Sequence, residues 1–190
     1  MFITLREILD IAIMTAVIGF IFKDIFARKP AFGYNPLEYY KKPQAWENFK
    51  FAAMVTAPAI IIHELFHKFT AIGFGLEATF HAAYSFLALG LILKVLNFPF
   101  IFFVPAYVSI PINQIGVGPA FSLIAFAGPF ANLLMWLVPK FLMKAKKIPH
   151  KYLRFAFLTA RINMFLFIFN MLPIPGFDGS KVFAGLLSIF

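Results

Sequence analysis

Five consecutive residues, His63-Glu64-Leu65-Phe66-His67, carry the most specific chemistry in the sequence. On an α-helix, side chains at positions i and i+4 share a face, so both imidazoles can reach one metal ion. Glu64 then lies beside that ion, in the His-Glu-x-x-His arrangement that pairs two zinc ligands with a general base. The chemistry explains the spacing. Zinc lowers the pKa of a bound water to about 7, and a carboxylate within reach must take the proton. His81 and His150 stand alone in the sequence and are read as non-catalytic.

A catalytic zinc site usually takes three protein ligands and leaves a fourth position open. The chain has no cysteine, so the third ligand must be His, Asp or Glu. Asp178 is the best placed, in Asn170-Met171-Leu172-Pro173-Ile174-Pro175-Gly176-Phe177-Asp178-Gly179. Two prolines and two glycines there break a helix and free its backbone. Broken backbone at membrane depth survives only against protein or a water-filled cavity. The other reading is a helix-exit turn in which Asp178 caps the following helix. A third feature, Gly128-Pro129-Phe130-Ala131-Asn132, lies within an apolar run; Gly and Pro allow close helix packing, and an intramembrane Asn needs a partner.

These residues have to be positioned by elements suited to lipid. Of the 190 residues 62% are hydrophobic and 13% charged, with 28 Phe and a mean hydropathy of +0.85. A soluble domain is about half apolar and a quarter charged, so the composition belongs to the membrane class. The net charge is +9. Eleven of the 17 basic residues fall in two stretches: Arg28, Lys29, Lys41, Lys42 and Lys50, then Lys140, Lys144, Lys146, Lys147, Lys151 and Arg154. That clustering suits anionic headgroups at the edges of spans, not nucleic acid. A missing cysteine framework also removes any disulfide scaffold.

A span needs about 20 mainly apolar residues. We expect an all-α polytopic membrane protein with about four transmembrane helices in a single domain. The spans are residues 5–26, taken as an uncleaved first span, then 49–72, 119–138 and 152–172. An interfacial loop over 28–50, carrying Tyr34, Tyr39, Tyr40 and Trp46, completes an N-terminal portion (1–50) ahead of a catalytic core (51–185). The apolar block 82–105 is interrupted by Lys94, Asn97 and Pro99, and is expected as a re-entrant or additional hairpin. Residues 105–118 read as short strand or turn at the membrane surface, and about 179–190 as a helix too short to cross.

The three motifs together resemble the site-two protease family of intramembrane zinc metalloproteases. His63-Glu64-x-x-His67 matches that family's zinc helix, and Gly128-Pro129-x-x-Asn132 its Gly-Pro-x-x-Asn motif. Asn170-x-x-Pro173-x-Pro175-x-Phe177-Asp178-Gly179 matches its Asn-x-x-Pro-x-Pro-x-Leu-Asp-Gly motif, with Phe177 where Leu is usual. The motifs occur in the family's order over about residues 50–185. Without a PDZ-like domain, the chain resembles the short archaeal-type members. The resemblance implies that Asp178 completes the zinc site with His63 and His67, and that Glu64 is the catalytic base. It implies that Asn132 and Asn170 bind substrate or stabilise the oxyanion. It also implies that the segment near 103–118 holds substrate as an added strand. The partners implied are a transmembrane protein substrate and the lipid bilayer, in a multi-pass protein of the cell membrane.

Depth constrains the topology. His63 lies about 14 residues, ~20 Å, into its span. If block 82–105 crossed the bilayer, Asp178 would sit ~20 Å from that depth, too far for a zinc bond of ~2 Å. A re-entrant block leaves about 10 Å for the proline-broken backbone to absorb, and is the expectation. With both basic loops on one side, the positive-inside rule places zinc nearer the outer face; the family resemblance implies a site nearer the cytosol. A zinc or cation transporter would also bury His and Asp at helix breaks, but it would not require Glu64 at this spacing, and no inverted repeat is visible. A non-catalytic membrane zinc-binding protein is the remaining alternative, and an intact Glu64 speaks against it.

Overall fold

The computed structural model describes residues 3–27, 44–98, 104–111, 116 and 118–188. Most of the expected interfacial loop, including Tyr34, Tyr39 and Tyr40, lies outside these residues, as do Pro99 and residues 112–115. The described elements are α1 (Leu5–Phe22), α2 (Gln44–Gly73), β1 (Thr79–Ala82), α3 (Tyr84–Val95), β2 (Ala106–Ser109), α4 (Pro119–Lys144), α5 (Leu153–Asn170) and α6 (Asp178–Leu187). A 3₁₀ turn, His150–Tyr152, leads into α5.

Among the described residues, three stretches are long and apolar enough to cross a membrane: α2, α4 and His150–Asn170, which is α5 with its leading turn. They mark a membrane protein of mainly helical fold. Large apolar side chains face outward along these helices, including Met54, Leu123, Val138, Phe157 and Ile168, each more than half or about half exposed. Such surfaces would aggregate in water and are suited to lipid. The expected first span is a helix of 18 residues, but Arg6, Glu7 and Asp10 interrupt its apolar character and it is not among the three. The block 82–105 contains α3, whose 12 residues extend about 18 Å and cannot cross ~30 Å of hydrocarbon.

The chain divides into two compact units, with the boundary in α2 at Pro58. The first comprises residues 1–57 and 82–105. In it Thr4 and Glu7 form a capping box that starts α1. Asp10, only 3% exposed, accepts hydrogen bonds from the Ala82 amide (3.3 Å) and the Tyr84 hydroxyl (2.5 Å). At the other end of α3, Lys94 contacts Asp24 at 2.5 Å. Two carboxylates from the α1 region thus hold both ends of α3, which explains why acids are tolerated beside an apolar helix. Met14, Ile18, Ile21, Val55 and Leu87 fill the core between them.

The second unit comprises residues 58–81 and 106–190 and holds every residue of the candidate site. Small side chains at Ala125, Ala127, Ala131, Ala156 and Ala160 are buried. Without a hydrophobic effect between helices in lipid, small residues are what let helices approach closely. Trp136 of α4 lies 6.2 Å from Phe167 of α5, ring centre to ring centre. Ser122 of α4 donates to the Val182 carbonyl of α6 at 2.8 Å, joining α6 to the spans. Strands β1 and β2 pair into a two-stranded sheet. Within the stretch 105–118 expected as strand or turn, residues 106–109 form β2; its partner Thr79–Ala82 is too short for any periodic signal.

Candidate metal centre

Both histidines project from the same face of α2, as their spacing requires, with His63 6% and His67 7% exposed. Asp178 is the first residue of α6. The Pro173–Gly176 turn brings it there: Gly176 has φ of 99°, a left-handed conformation that a side chain would strain. Phe177, in the usual Leu position, packs edge-on against Phe169 at 5.1 Å, so the larger ring is accommodated beneath α5. The N-cap of α6 is Phe177, with no side-chain cap bond, and Asp178 turns its carboxylate to the histidines instead of capping.

The three potential ligand atoms form a nearly equilateral triangle. Asp178 Oδ2 is 3.1 Å from His63 Nε2 and 3.2 Å from His67 Nε2, and the two Nε2 atoms are 3.1 Å apart. Tetrahedral ligands about 2.0–2.1 Å from zinc stand roughly 3.3–3.4 Å from one another. The triangle is therefore close to the size that the ion demands.

Protonation supports the same fit. His63 Nδ1 contacts Asn132 Oδ1 at 2.5 Å, and His67 Nδ1 contacts the Ile124 carbonyl at 2.7 Å. Both partners can only accept, so each Nδ1 carries the proton and each neutral imidazole turns its Nε2 lone pair inward. Two lone pairs and a carboxylate then converge, acceptor against acceptor. A cation or added protons must lie between them.

Gly128 of α4 faces the cluster. A Cβ there would stand 2.3 Å from His67 Nε2 and 2.7 Å from His63 Nε2, so only glycine leaves the ligand atoms clear. This gives the Gly of Gly128-Pro129-x-x-Asn132 a definite purpose. Glu64 is 9% exposed and lies within electrostatic reach of His63, Asp178 and Lys181. His63, His67 and Asp178 form the group able to hold a metal ion among the described residues.

The chain is 33% identical over 182 residues to the protein of Methanocaldococcus jannaschii named "Putative zinc metalloprotease MJ0611". The match covers 93% of this chain and 83% of that relative. The chain belongs to this zinc metalloprotease family. No family description from broader collections matches it, and neither does any solved structure. For a zinc metalloprotease, the metal-sized triangle of His63, His67 and Asp178 is the expected kind of centre.

The remaining sequence-predicted residues are distributed unevenly around that centre. Asn132 is fully buried behind His63; its Nδ2 donates to the Ala59 carbonyl (3.0 Å) and to Asn163 Oδ1 (2.8 Å). Both amide protons are thus engaged. Asn170 is half-buried at the last position of α5 and contributes none of the hydrogen bonds that converge on the triangle. His81 lies on β1, with Nε2 3.1 Å from Ser109 Oγ and its ring beside Tyr107, and is not part of the cluster. His150 sits exposed in the basic connection between α4 and α5.

Two residues escaped the sequence reading. Asn163 of α5 is fully buried and bonded to Asn132; an amide in the middle of an apolar span was its available signal. Lys181 of α6 places Nζ 3.8 Å from Asp178 Oδ1, the oxygen that does not face the histidines. Its signal was the i, i+3 spacing from Asp178 on a short helix.

Proposed function

We propose that this metalloprotease is an intramembrane enzyme of the site-two type, hydrolysing peptide bonds within transmembrane segments of other membrane proteins. The observation that carries the reading is the convergence of His63, His67 and Asp178 on one metal-sized triangle, with Glu64 on the same helix. That helix is itself apolar enough to cross a membrane. The three ligands would hold zinc and leave a fourth position for substrate chemistry. When bound, the ion supplies Lewis acidity toward water and toward the scissile carbonyl.

The chain's own residues supply the rest. Glu64 takes the proton from the attacking water and returns it to the amine nitrogen as the carbon–nitrogen bond breaks. Asn170, at the mouth of the Pro173–Gly176 turn, is assigned to substrate or to the developing oxyanion. Asn132 is assigned to His63, because its donors are already committed. A transmembrane substrate has to unwind locally, since a helix keeps its carbonyls engaged. The β1–β2 pair supports docking of the unwound stretch as an added strand. The protein is placed as a multi-pass protein of the cell membrane.

The test is Glu64→Ala in purified protein, in detergent or liposomes, with a model transmembrane substrate and a zinc assay. Cleavage is expected to fall by about 10²–10⁴-fold with zinc retained. Unchanged cleavage would sink the general-base assignment. Metal-dependent ion flux without cleavage would instead favour a transporter.

A further inference from the structure

Behind His63 runs a short polar chain whose ends are fixed and whose middle is not. Asn163 Nδ2 donates to the Thr159 carbonyl at 2.8 Å, and Asn163 Oδ1 accepts from Asn132 Nδ2 at 2.8 Å. The second proton of Asn132 Nδ2 goes to the Ala59 carbonyl at 3.0 Å. Asn132 Oδ1 then accepts from His63 Nδ1. Both asparagines are 0% exposed, so no water competes for these groups.

The direction of this chain matters more than its strength. A side-chain amide offers an acceptor on one side and a donor on the other, and turning it over exchanges them. Turned over, Asn132 would present Nδ2 to His63 Nδ1. The imidazole would then have to carry its proton on Nε2, where the metal lone pair is needed. The carbonyls of Ala59 and Thr159 can only accept, and they forbid that arrangement from two directions. The Thr159 carbonyl acts through Asn163: it accepts from Asn163 Nδ2, which leaves Oδ1 facing Asn132.

We propose that Asn163 is a positioning residue for the metal centre, locking the Asn132 amide in the one orientation that keeps His63 Nε2 unprotonated and available to zinc. This rests on the reading of His63 as a zinc ligand. Asn163 touches neither metal nor substrate; it acts through Asn132.

The experiment measures zinc affinity of the full-length protein in detergent by competition with a chromogenic chelator. Asn163→Leu, Asn163→Asp, Asn132→Leu and the double variant Asn132→Leu/Asn163→Leu are compared with the unaltered chain. Loss of an outer partner of a ligating His typically costs 10–100-fold in metal affinity. Asn163→Leu removes the acceptor and is expected near the tenfold end, because the Ala59 carbonyl still restrains Asn132. A protonated Asp at 163 keeps one acceptor and one donor, and is expected within about threefold of the unaltered chain. The double variant should lose no more than Asn132→Leu alone, since the lock has nothing left to hold. Cobalt substitution gives a second readout: the visible absorption of the bound ion should shift in Asn163→Leu and not in Asn163→Asp.

Unaltered affinity and spectrum in a folded Asn163→Leu would overturn the proposal, as would additive losses in the double variant. Should Asn163→Leu fail to fold, Asn163→Asp decides: retained affinity supports the lock, and a tenfold loss refutes it. An unaltered chain that binds no zinc would refute the metal reading itself, a separate outcome.

Discussion

At the scale of single residues, the centre depends on atoms that are absent as much as on those present. Gly128 keeps clear the space in front of both Nε2 atoms. Gly128→Ala puts a carbon at 2.3 Å from His67 Nε2, a distance no relaxed structure tolerates. Because α4 backbone and α2 imidazoles must separate, zinc affinity is expected to fall at least as far as on loss of an outer-shell partner, about 100-fold. Chelator competition on the purified variant checks this; affinity within threefold of the unaltered chain would mean that Gly128 does not face the ion. The pattern His63-Glu64-x-x-His67 announced two ligands and a base, since i, i+4 spacing alone puts the histidines on one face. Asn163 and Lys181 were not so announced. Their roles come from contacts to Asn132 and Asp178, and nothing in a lone Asn or Lys states which residue it will meet.

At the scale of elements, the turn between α5 and α6 sets the third ligand. Pro173 and Pro175 deny the backbone a continued helix, and Gly176, at φ 99°, redirects the chain so that α6 begins with Asp178 against the histidines. A side chain forced into a left-handed conformation costs about 1–2 kcal/mol. Gly176→Val is therefore expected to lower the unfolding midpoint in detergent and, by displacing Asp178, to weaken zinc binding too. Thermal unfolding with and without added zinc checks both parts. A variant that loses stability but keeps its full zinc response would show that the turn does not position Asp178. Helices α2, α4 and α5 were readable because long apolar runs give a strong signal. The β1–β2 pair and the shortness of α3 were less so: four residues carry no measurable period, and an apolar block of this length reads alike as span or hairpin.

At the scale of the whole molecule, three stretches among the described residues are suited to crossing a membrane, and one of them carries both histidines of a centre able to hold a cation. Three converging acceptors repel one another without one, so the metal should contribute to folding stability and not only to chemistry. Saturating zinc at 1,000 times its dissociation constant adds about 4 kcal/mol to the folded state. Stripping the protein with a strong chelator is expected to lower its unfolding midpoint and stop cleavage. Zinc should restore both, and magnesium neither, since magnesium prefers octahedral oxygen ligands. An unfolding midpoint indifferent to chelation would contradict a metal at this centre. What the amino-acid sequence determined by itself is the local pattern: the paired histidines and Glu64 on one helical turn, the broken backbone before Asp178, and the apolar runs that call for lipid. These follow from spacing and composition, which act within a few residues. Only the tertiary structure decided that Asp178 reaches the histidines across 111 and 115 positions of chain, that Asn132 bonds to His63, and that Asn163 stands behind it. Those contacts are made between different helices, and a one-dimensional pattern does not specify how packed helices turn their faces to one another.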